Sequence, residues 1–218
     1  MNMPELSPQL QKLVDARHED PFSVLGRHLE EGRARVRALL PHAEEVSIAE
    51  GDHRMHRVEG TDIFEWVGKP DEVPERYRLI WRDDAHREHI AHDPYCYPPQ
   101  LGDLDLHLFG EGKHWHAQRL LGARVHEANG TAGVLFSVWA PSATRVSVVG
   151  DFNRWDGRGH PMRVHGNGVW ELFIPDLPTG VVYKYEIRTT DGNILLKADP
   201  YGRHFEVRPN TASIVEPT

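Results

Sequence analysis

The chain has 218 residues, 39% of them hydrophobic, which is enough to bury one sizeable core or two small ones. Its 25 Lys and Arg against 33 Asp and Glu give a net charge of −8, which disfavours non-specific binding to nucleic acid or to an anionic membrane. The single cysteine, Cys96, excludes an intramolecular disulfide framework and favours a reducing compartment.

The amino terminus predicts a short helix and shows no export signal. The opening residues M-N-M-P-E-L-S-P lack the basic and apolar regions of a signal peptide, and no apolar run is long enough to span a membrane. We therefore expect a cytoplasmic protein with no membrane partner. Ser7 and Pro8 precede Q-L-Q-K-L-V, a pattern typical of an N-cap followed by the first helical position. We place this helix within residues 1–19.

Two stretches of the chain repeat one pattern. V-R-A-L-L-P-H-A-E-E-V-S-I (36–48) aligns with F-S-V-W-A-P-S-A-T-R-V-S-V (136–148), and D-P-Y (93–95) aligns with D-P-Y (199–201). Within each copy, apolar residues alternate with polar ones, as in strands with one buried face. The second copy is six residues longer between these blocks, which one longer loop would produce.

The repeat predicts a mainly β fold of two tandem immunoglobulin-like antiparallel β-sandwiches. We place the first sandwich at residues 20–100 and the second at residues 122–218. Residues 101–121, which include D-L-D-L-H-L-F-G, are interpreted as a linker with a short helix. Four tryptophans lie in predicted strands and are assigned to the core or to an interface: Trp66, Trp81, Trp139 and Trp170.

Five strings, in this order, give the chain a family resemblance. They are D-P-F-S-V-L-G-R-H (20–28), D-L-D-L-H-L-F-G-E-G (103–112), F-S-V-W-A-P-S-A (136–143), V-V-G-D-F-N-R-W-D-G (148–157) and L-K-A-D-P-Y-G (196–202) with R-P-N-T-A-S-I-V (208–215). Together they resemble the amino-terminal half of bacterial glycogen branching enzymes. The second copy resembles the carbohydrate-binding module, of family 48, that precedes the catalytic barrel in that family and in debranching relatives.

The resemblance implies that the chemistry lies outside these residues. In the family a (β/α)₈ barrel, similar to retaining glycosidases, uses two carboxylates to convert an α-1,4 link into an α-1,6 branch. We expect that barrel to be absent and the segment alone to be inactive, without a cofactor. The carboxylates of Asp151 and Asp156 flank the most distinctive loop, but Asp is ordinary in turns. No catalytic residue is therefore assigned.

The resemblance also implies a glucan-binding pair. In members that bind glucan, the Trp of a G-x-F-N-x-W turn and the Lys of a Y-K-[FY] strand help form the site, and these match Trp155 and Lys184. An indole stacks on the apolar face of a glucose ring, while polar groups hold its hydroxyls. The loop after the Lys strand offers Ile194 instead of a second aromatic. We therefore expect weak binding of glycogen or maltooligosaccharides, about −4 kcal/mol.

Alternatives stay open for Trp155 and for the whole segment. The indole could instead cap the sandwich or lie against the barrel of the full-length enzyme, which would make the segment a pure scaffold. The module could also belong to a debranching or glycogen-regulatory protein. Fifteen histidines raise the question of a metal site, but their spacing lacks the defined ligand set of zinc, and none is expected. The histidines considered are His86, His89, His92, His114 and His116.

Overall fold

The computed structural model describes residues 6–112 and 120–216. The chain divides into two compact units, Met1–Pro98 and Pro99–Thr218. Each unit contains two antiparallel sheets, and together they confirm the predicted mainly β, tandem-sandwich fold. Part of the predicted linker, including His114 and His116, lies outside the described residues.

Two α-helices occur in the described chain. The first, α1 (Pro8–Val14), begins as predicted: the Ser7 side chain accepts a hydrogen bond from the Leu10 amide, and Pro8 occupies the first helical position. The second, α2 (Asp103–Gly110), lies within the predicted linker and has no fully buried residue. No helix in residues 6–112 or 120–216 combines the length and apolar character needed to cross a membrane.

Within residues 6–98, the first unit is a sandwich of eight strands in two sheets. One sheet has the order β1-β2-β6-β5 and the other the order β4-β3-β7-β8. The core lies between them, because Val36 and Phe64 of the first sheet belong to the same buried cluster as Val46 and Leu79 of the second. The strands are β1 (Gly26–Glu30), β2 (Arg33–Leu39), β3 (Ala43–Ile48), β4 (His53–Arg54), β5 (His56–Arg57), β6 (Ile63–Gly68), β7 (Arg78–Asp83) and β8 (Glu88–His92).

The described part of the second unit, residues 99–112 and 120–216, has nine strands in two sheets. The orders are β12-β13-β10-β9 and β11-β14-β17-β16, with β15 also paired to β14. Phe136 on β10 and Tyr183 on β14 meet edge to face at 5.0 Å, which places the core between the two sheets. The strands are β9 (Gly122–Ala128), β10 (Thr131–Trp139), β11 (Ala143–Gly150), β12 (Arg163–Val164), β13 (Val169–Pro175), β14 (Val182–Thr189), β15 (Ile194–Lys197), β16 (His204–Phe205) and β17 (Ser213–Ile214).

The two units share one strand register, which confirms the repeat. Val36 pairs with Trp66 in the first unit, and Phe136 pairs with Leu172 at the matching positions of the second. In the other sheets, Val46 pairs with Trp81 and Val146 with Ile187. A register shift interrupts both of those pairings at the same place, between Ala43 and Glu45 and between Ala143 and Arg145. A one-residue slip would turn the core side chains outward, so a shared register means a shared core.

A buried tyrosine–aspartate hydrogen bond also occurs in both cores. The Tyr77 hydroxyl donates to Asp93 at 2.5 Å, and the Tyr183 hydroxyl donates to Asp199 at 2.7 Å. Burial raises the pKa of Asp93 to about 6, although the hydrogen bonds from Tyr77 and the Tyr95 amide oppose the shift. Burial likewise raises the pKa of Asp199. These carboxyls hold the D-P-Y turns in place and belong to the scaffold.

Candidate functional site

The loop that follows β11 forms an exposed, irregular turn. β11 ends at Gly150, and Asp151–Asn153 make one turn of 3₁₀ helix. Arg154 and Trp155 then both adopt left-handed backbone conformations, with φ values of 54° and 60°. Two consecutive left-handed residues other than glycine are unusual, since each costs about 1–2 kcal/mol. This backbone reversal turns the Trp155 side chain to the protein surface.

The indole of Trp155 is a fixed surface group. It is 36% exposed, and its Nε1 donates to Asp151 Oδ1 at 2.8 Å. The Trp155 backbone amide also donates to the Gly150 carbonyl at 2.9 Å. Because the ring nitrogen already has an acceptor, the indole presents an apolar ring to solvent.

The rest of the loop folds back over the outer face of the β11–β14 sheet. Arg145, buried beneath the loop, donates to the Gly157 carbonyl and forms an ion pair with Glu186 at 3.2 Å. The chain then runs along the second edge of β11, where the Val148 amide donates to the His160 carbonyl at 3.1 Å. The residues that follow Trp155 are therefore attached both to the outer face of the sheet and to the edge of β11.

Lys184 lies on the outer face of β14, as the alternation predicts. Its neighbours Tyr183 and Tyr185 are buried in the core, whereas Lys184 is partly exposed. Its ammonium donates to the Thr211 hydroxyl at 2.9 Å. Lys184 pairs with Val149, and Tyr183 pairs with Gly150. Lys184 therefore lies at the end of β11 from which the Trp155 loop departs.

The first unit lacks this loop. Equivalent hydrogen bonds run from the Met55 amide to the Val46 carbonyl and from the Met162 amide to the Val146 carbonyl. Residues 49–54 therefore correspond to residues 149–161, so the second copy is seven residues longer in this loop. Between this loop and β13 the second copy is one residue shorter, which leaves the net difference of six. At the position of Lys184 the first unit has Arg78, whose guanidinium donates to Glu50 at 2.9 Å. The longer loop predicted from the sequence is thus the loop that carries Trp155.

The carboxylates near the loop have structural partners. Asp151 accepts the indole hydrogen bond, and Asp156 accepts hydrogen bonds from the Arg158 amide and guanidinium. His160, behind the loop, receives a hydrogen bond from Asn153. Burial lowers the pKa of His160 to about 4, so its imidazole is neutral at physiological pH. The two carboxylates thus stabilise turns, as their sequence context indicates.

The histidines of the first unit have partners of other kinds. His86 occupies a turn with a positive φ, and His89 stacks on Trp81 at 5.1 Å and hydrogen bonds to Asp83. Within residues 6–112 and 120–216, no three His, Cys, Asp or Glu side chains are grouped closely enough to hold a metal ion. Cys96 is partly buried and packs on the core.

The tryptophan assignments are correct for the core except at Trp139. Trp66 and Trp170 are buried, and Trp81 packs against the core while partly exposed. Trp139 is 53% exposed, so it is not a core residue, and the alternative of an interface stays a prediction. It is the last residue of β10 and lies on the outer face of its sheet, because the alternation that turns Phe136 and Val138 into the core turns Trp139 outward. Its ring meets Phe109 of α2 edge to face at 6.1 Å, a contact that strand periodicity could not predict.

Two family models match separate parts of the chain. Residues 7–95 match the alpha-1,4-glucan branching enzyme GlgB, N-terminal domain. Residues 120–202, which include Trp155 and Lys184, match Carbohydrate-binding module 48 (Isoamylase N-terminal domain). Among solved structures, a pullulanase from an Anoxybacillus species is similar over 88% of this chain and 27% of the pullulanase chain. The sequence identity is 16% and the TM-score is 0.39. That similarity is too low to support an inference.

Curated relatives match almost the whole chain. The 1,4-alpha-glucan branching enzyme GlgB of Methylococcus capsulatus is 55% identical over 97% of this chain and 29% of the relative. The enzyme of the same name from Nitrosococcus oceani is 55% identical over the same shares of the two chains. The chain thus spans less than a third of the length of these relatives. The chain thus matches, in order, the amino-terminal domain of the branching enzyme GlgB and a family 48 carbohydrate-binding module, as an amino-terminal segment of such an enzyme would.

Proposed function

We propose that this chain is the α-glucan-positioning segment of a glycogen branching enzyme, with Trp155 and Lys184 as its glucan contacts. The observation that carries the proposal is the Trp155 loop: a fixed, exposed indole on residues that the first copy lacks. The match of this unit to a carbohydrate-binding module supports the same substrate class. The whole enzyme would form α-1,6 branches in cytoplasmic glycogen synthesis, on a barrel outside the residues described.

The chemistry of the two contacts is complementary. The C–H face of a glucose ring stacks on the indole, and the Lys184 ammonium donates hydrogen bonds to sugar hydroxyls. Trp155 Nε1 is engaged by Asp151, so polar contacts come from groups other than the indole. One aromatic platform supports only millimolar affinity, about −4 kcal/mol. Tethering weak binding to a catalytic domain still raises the local concentration of glucan chains.

A second candidate function is that of a scaffold for the catalytic barrel. The observation that favours it is Trp139, whose indole is more exposed than that of Trp155. Large exposed apolar side chains often mark a surface that another domain covers. Under this alternative the segment stabilises the barrel and binds no sugar.

Affinity electrophoresis of the 218-residue chain through gels with and without glycogen separates the two candidates. We expect glycogen to retard the wild-type chain, and Trp155→Ala to abolish the retardation without loss of the folded circular dichroism spectrum. Trp139→Ala is the matched control, since it removes an exposed indole from the same unit. Wild-type mobility unaffected by glycogen would favour the scaffold. Retardation lost only in Trp139→Ala would place the glucan contact elsewhere.

A further inference from the structure

We infer that Asn153 and His160 are positioning residues for the Trp155 indole, holding its loop in the one conformation that presents the ring. The inference rests on the proposed glucan contact at Trp155. Neither residue would touch the sugar, since both are partly buried behind the loop. They would act by fixing the ring before the ligand arrives, which reduces the ordering cost of binding.

Asn153 makes three hydrogen bonds with its side chain, two to β11 and one to His160. Its Oδ1 accepts a hydrogen bond from the Gly150 amide at 3.0 Å, and its Nδ2 donates to the Val148 carbonyl at 2.9 Å. The same Nδ2 donates to His160 Nδ1 at 2.9 Å. Exchange of the amide oxygen and nitrogen would set donor against donor and acceptor against acceptor, so the orientation is fixed. Only a carboxamide on this short stem supplies one acceptor and two donors here.

His160 supplies the far end of this connection. Its Nδ1 must carry a lone pair to accept from Asn153, so the imidazole is neutral with its proton on Nε2. Its ring packs edge to face on Phe152 at 5.5 Å, and its backbone carbonyl accepts the Val148 amide. Asn153 and His160 thus clamp the beginning and the end of the loop to each other and to β11.

The conformation between these two residues is unfavourable by itself. Arg154 and Trp155 are both left-handed, and this strained pair directly follows Asn153. Backbone strain persists only where surrounding contacts hold it, and it is common at binding sites. Without the clamp the two residues would relax to ordinary φ values, and the indole would leave its hydrogen bond to Asp151. Binding would then require the loop to be ordered anew.

The test follows the indole itself and glucan affinity in parallel. The chain is labelled with fluorotryptophan, and the Trp155 resonance is assigned by its absence in Trp155→Phe. Asn153→Asp keeps the size of the side chain but loses both donors, and His160→Phe loses the acceptor. We expect both variants to shift or broaden the Trp155 resonance and to weaken glycogen affinity about three- to tenfold, the range for ordering one side chain. His160→Gln offers an acceptor oxygen to Asn153, so it should restore part of the wild-type Trp155 resonance and part of the glycogen affinity.

Asn167→Asp is the matched control. The Asn167 side chain also uses both ends of its amide: Nδ2 donates to the Leu106 carbonyl, and Oδ1 accepts from the Val169 amide. Asn167 lies outside the Trp155 loop. It should leave the Trp155 resonance and the glycogen affinity unchanged. A loss of folding stability in Asn153→Asp and His160→Phe, with the Trp155 resonance unmoved, would overturn the inference. If wild type shows no retardation, the proposed function fails, while the fluorine spectra still decide whether the clamp positions the ring.

Discussion

Glu171 is a buried carboxylate on the outer face of a sheet, and it leads to the sharpest stability prediction. It is 2% exposed because the segment before α2 crosses over it. The amides of Gln100 and Leu101 donate to it at 2.7 and 3.1 Å, and His165 Nε2 lies 3.0 Å from it. Burial alone would raise the pKa of Glu171, but the hydrogen bonds from His165 and the two amides lower it on balance.

Substitution of Glu171 by Gln keeps the shape and removes the charge. The new amide group turns donors toward a site that already holds three donors, so at least one buried N–H loses its acceptor. A buried donor without a partner costs about 1–3 kcal/mol, and hydrogen bonds to a charged acceptor contribute about 1.5–3 kcal/mol each. We therefore expect Glu171→Gln to lower the unfolding free energy of the second unit by about 3 kcal/mol.

The first copy supplies the control at the same register position. In the strand register, Glu65 lies opposite Arg37 just as Glu171 lies opposite Ser137. The Glu65 side chain, however, is partly exposed and forms ion pairs with Arg35 and Arg37, each at 2.8 Å. Exposed ion pairs contribute about 0–1 kcal/mol, so Glu65→Gln should have a small effect. Urea unfolding combined with amide hydrogen exchange measures both variants. Equal losses, or unchanged protection of the Gln100 and Leu101 amides in Glu171→Gln, would refute the reasoning.

The same contacts to Glu171 make the loss of stability in Glu171→Gln depend on pH. A carboxyl whose pKa is lower in the folded chain stabilises it above the unfolded pKa, and this stabilisation is lost as pH falls through the folded value. The difference in unfolding free energy between wild type and Glu171→Gln should therefore be constant near neutral pH and shrink below about pH 4. Unfolding measured across this range tests the sign.

Three further substitutions test the buried Asp93 carboxyl and the close packing of the chain around Gly150. Because burial raises the pKa of Asp93 to about 6, the folded chain retains a proton that the unfolded chain releases, and the first unit should lose about 2 kcal/mol as pH rises from about 4 to about 6. In Asp93→Asn, the unfolding free energy measured with urea should not fall over this pH range. A fall equal to that of wild type would contradict the prediction. A Cβ on Gly150 would overlap the Val182 carbonyl and Phe152, so Gly150→Ala should cost about 1–3 kcal/mol and weaken glycogen retardation. Glu50→Ala, at the matching position of the first copy, should cost less than about 1 kcal/mol and leave retardation intact.

The inner faces of the sheets were predictable from the sequence, and their outer faces were not. Alternation placed Tyr183, Tyr185 and Leu172 inside and Lys184 outside, and the structure agrees. Alternation also placed Glu171 on the outer face, which is correct. That face is nevertheless covered there by the segment before α2, so Glu171 is buried. Periodicity reports the direction of a side chain relative to its sheet and contains no information about which loop packs on top.

The candidate site was predictable only in part. The positions of Trp155 and Lys184 came from a motif, and the extra residues of the second copy came from the repeat. Asn153 lies in the same motif as Trp155, and Thr211 lies in another of the quoted strings, but neither these strings nor His160 indicated which hydrogen bonds hold the site. Asn153 and His160 lie seven residues apart in a segment without periodicity, and Thr211 reaches Lys184 across 27 residues of chain. Such contacts depend on tertiary structure, which local patterns do not encode.

The duplication separates what the fold requires from what binding requires. Strand register and the buried Tyr–Asp bond are the same in both copies, so neither can distinguish a glucan-binding unit from a unit without that role. The copies differ in the loop after β3 or β11, where one has a short connection and the other the clamped indole. A β-sandwich is compatible with many functions, and function resides in the side chains it presents. Sugar recognition by this chain should therefore depend on residues 149–161 and Lys184, and not on the matching residues 49–54 and Arg78 of the first copy.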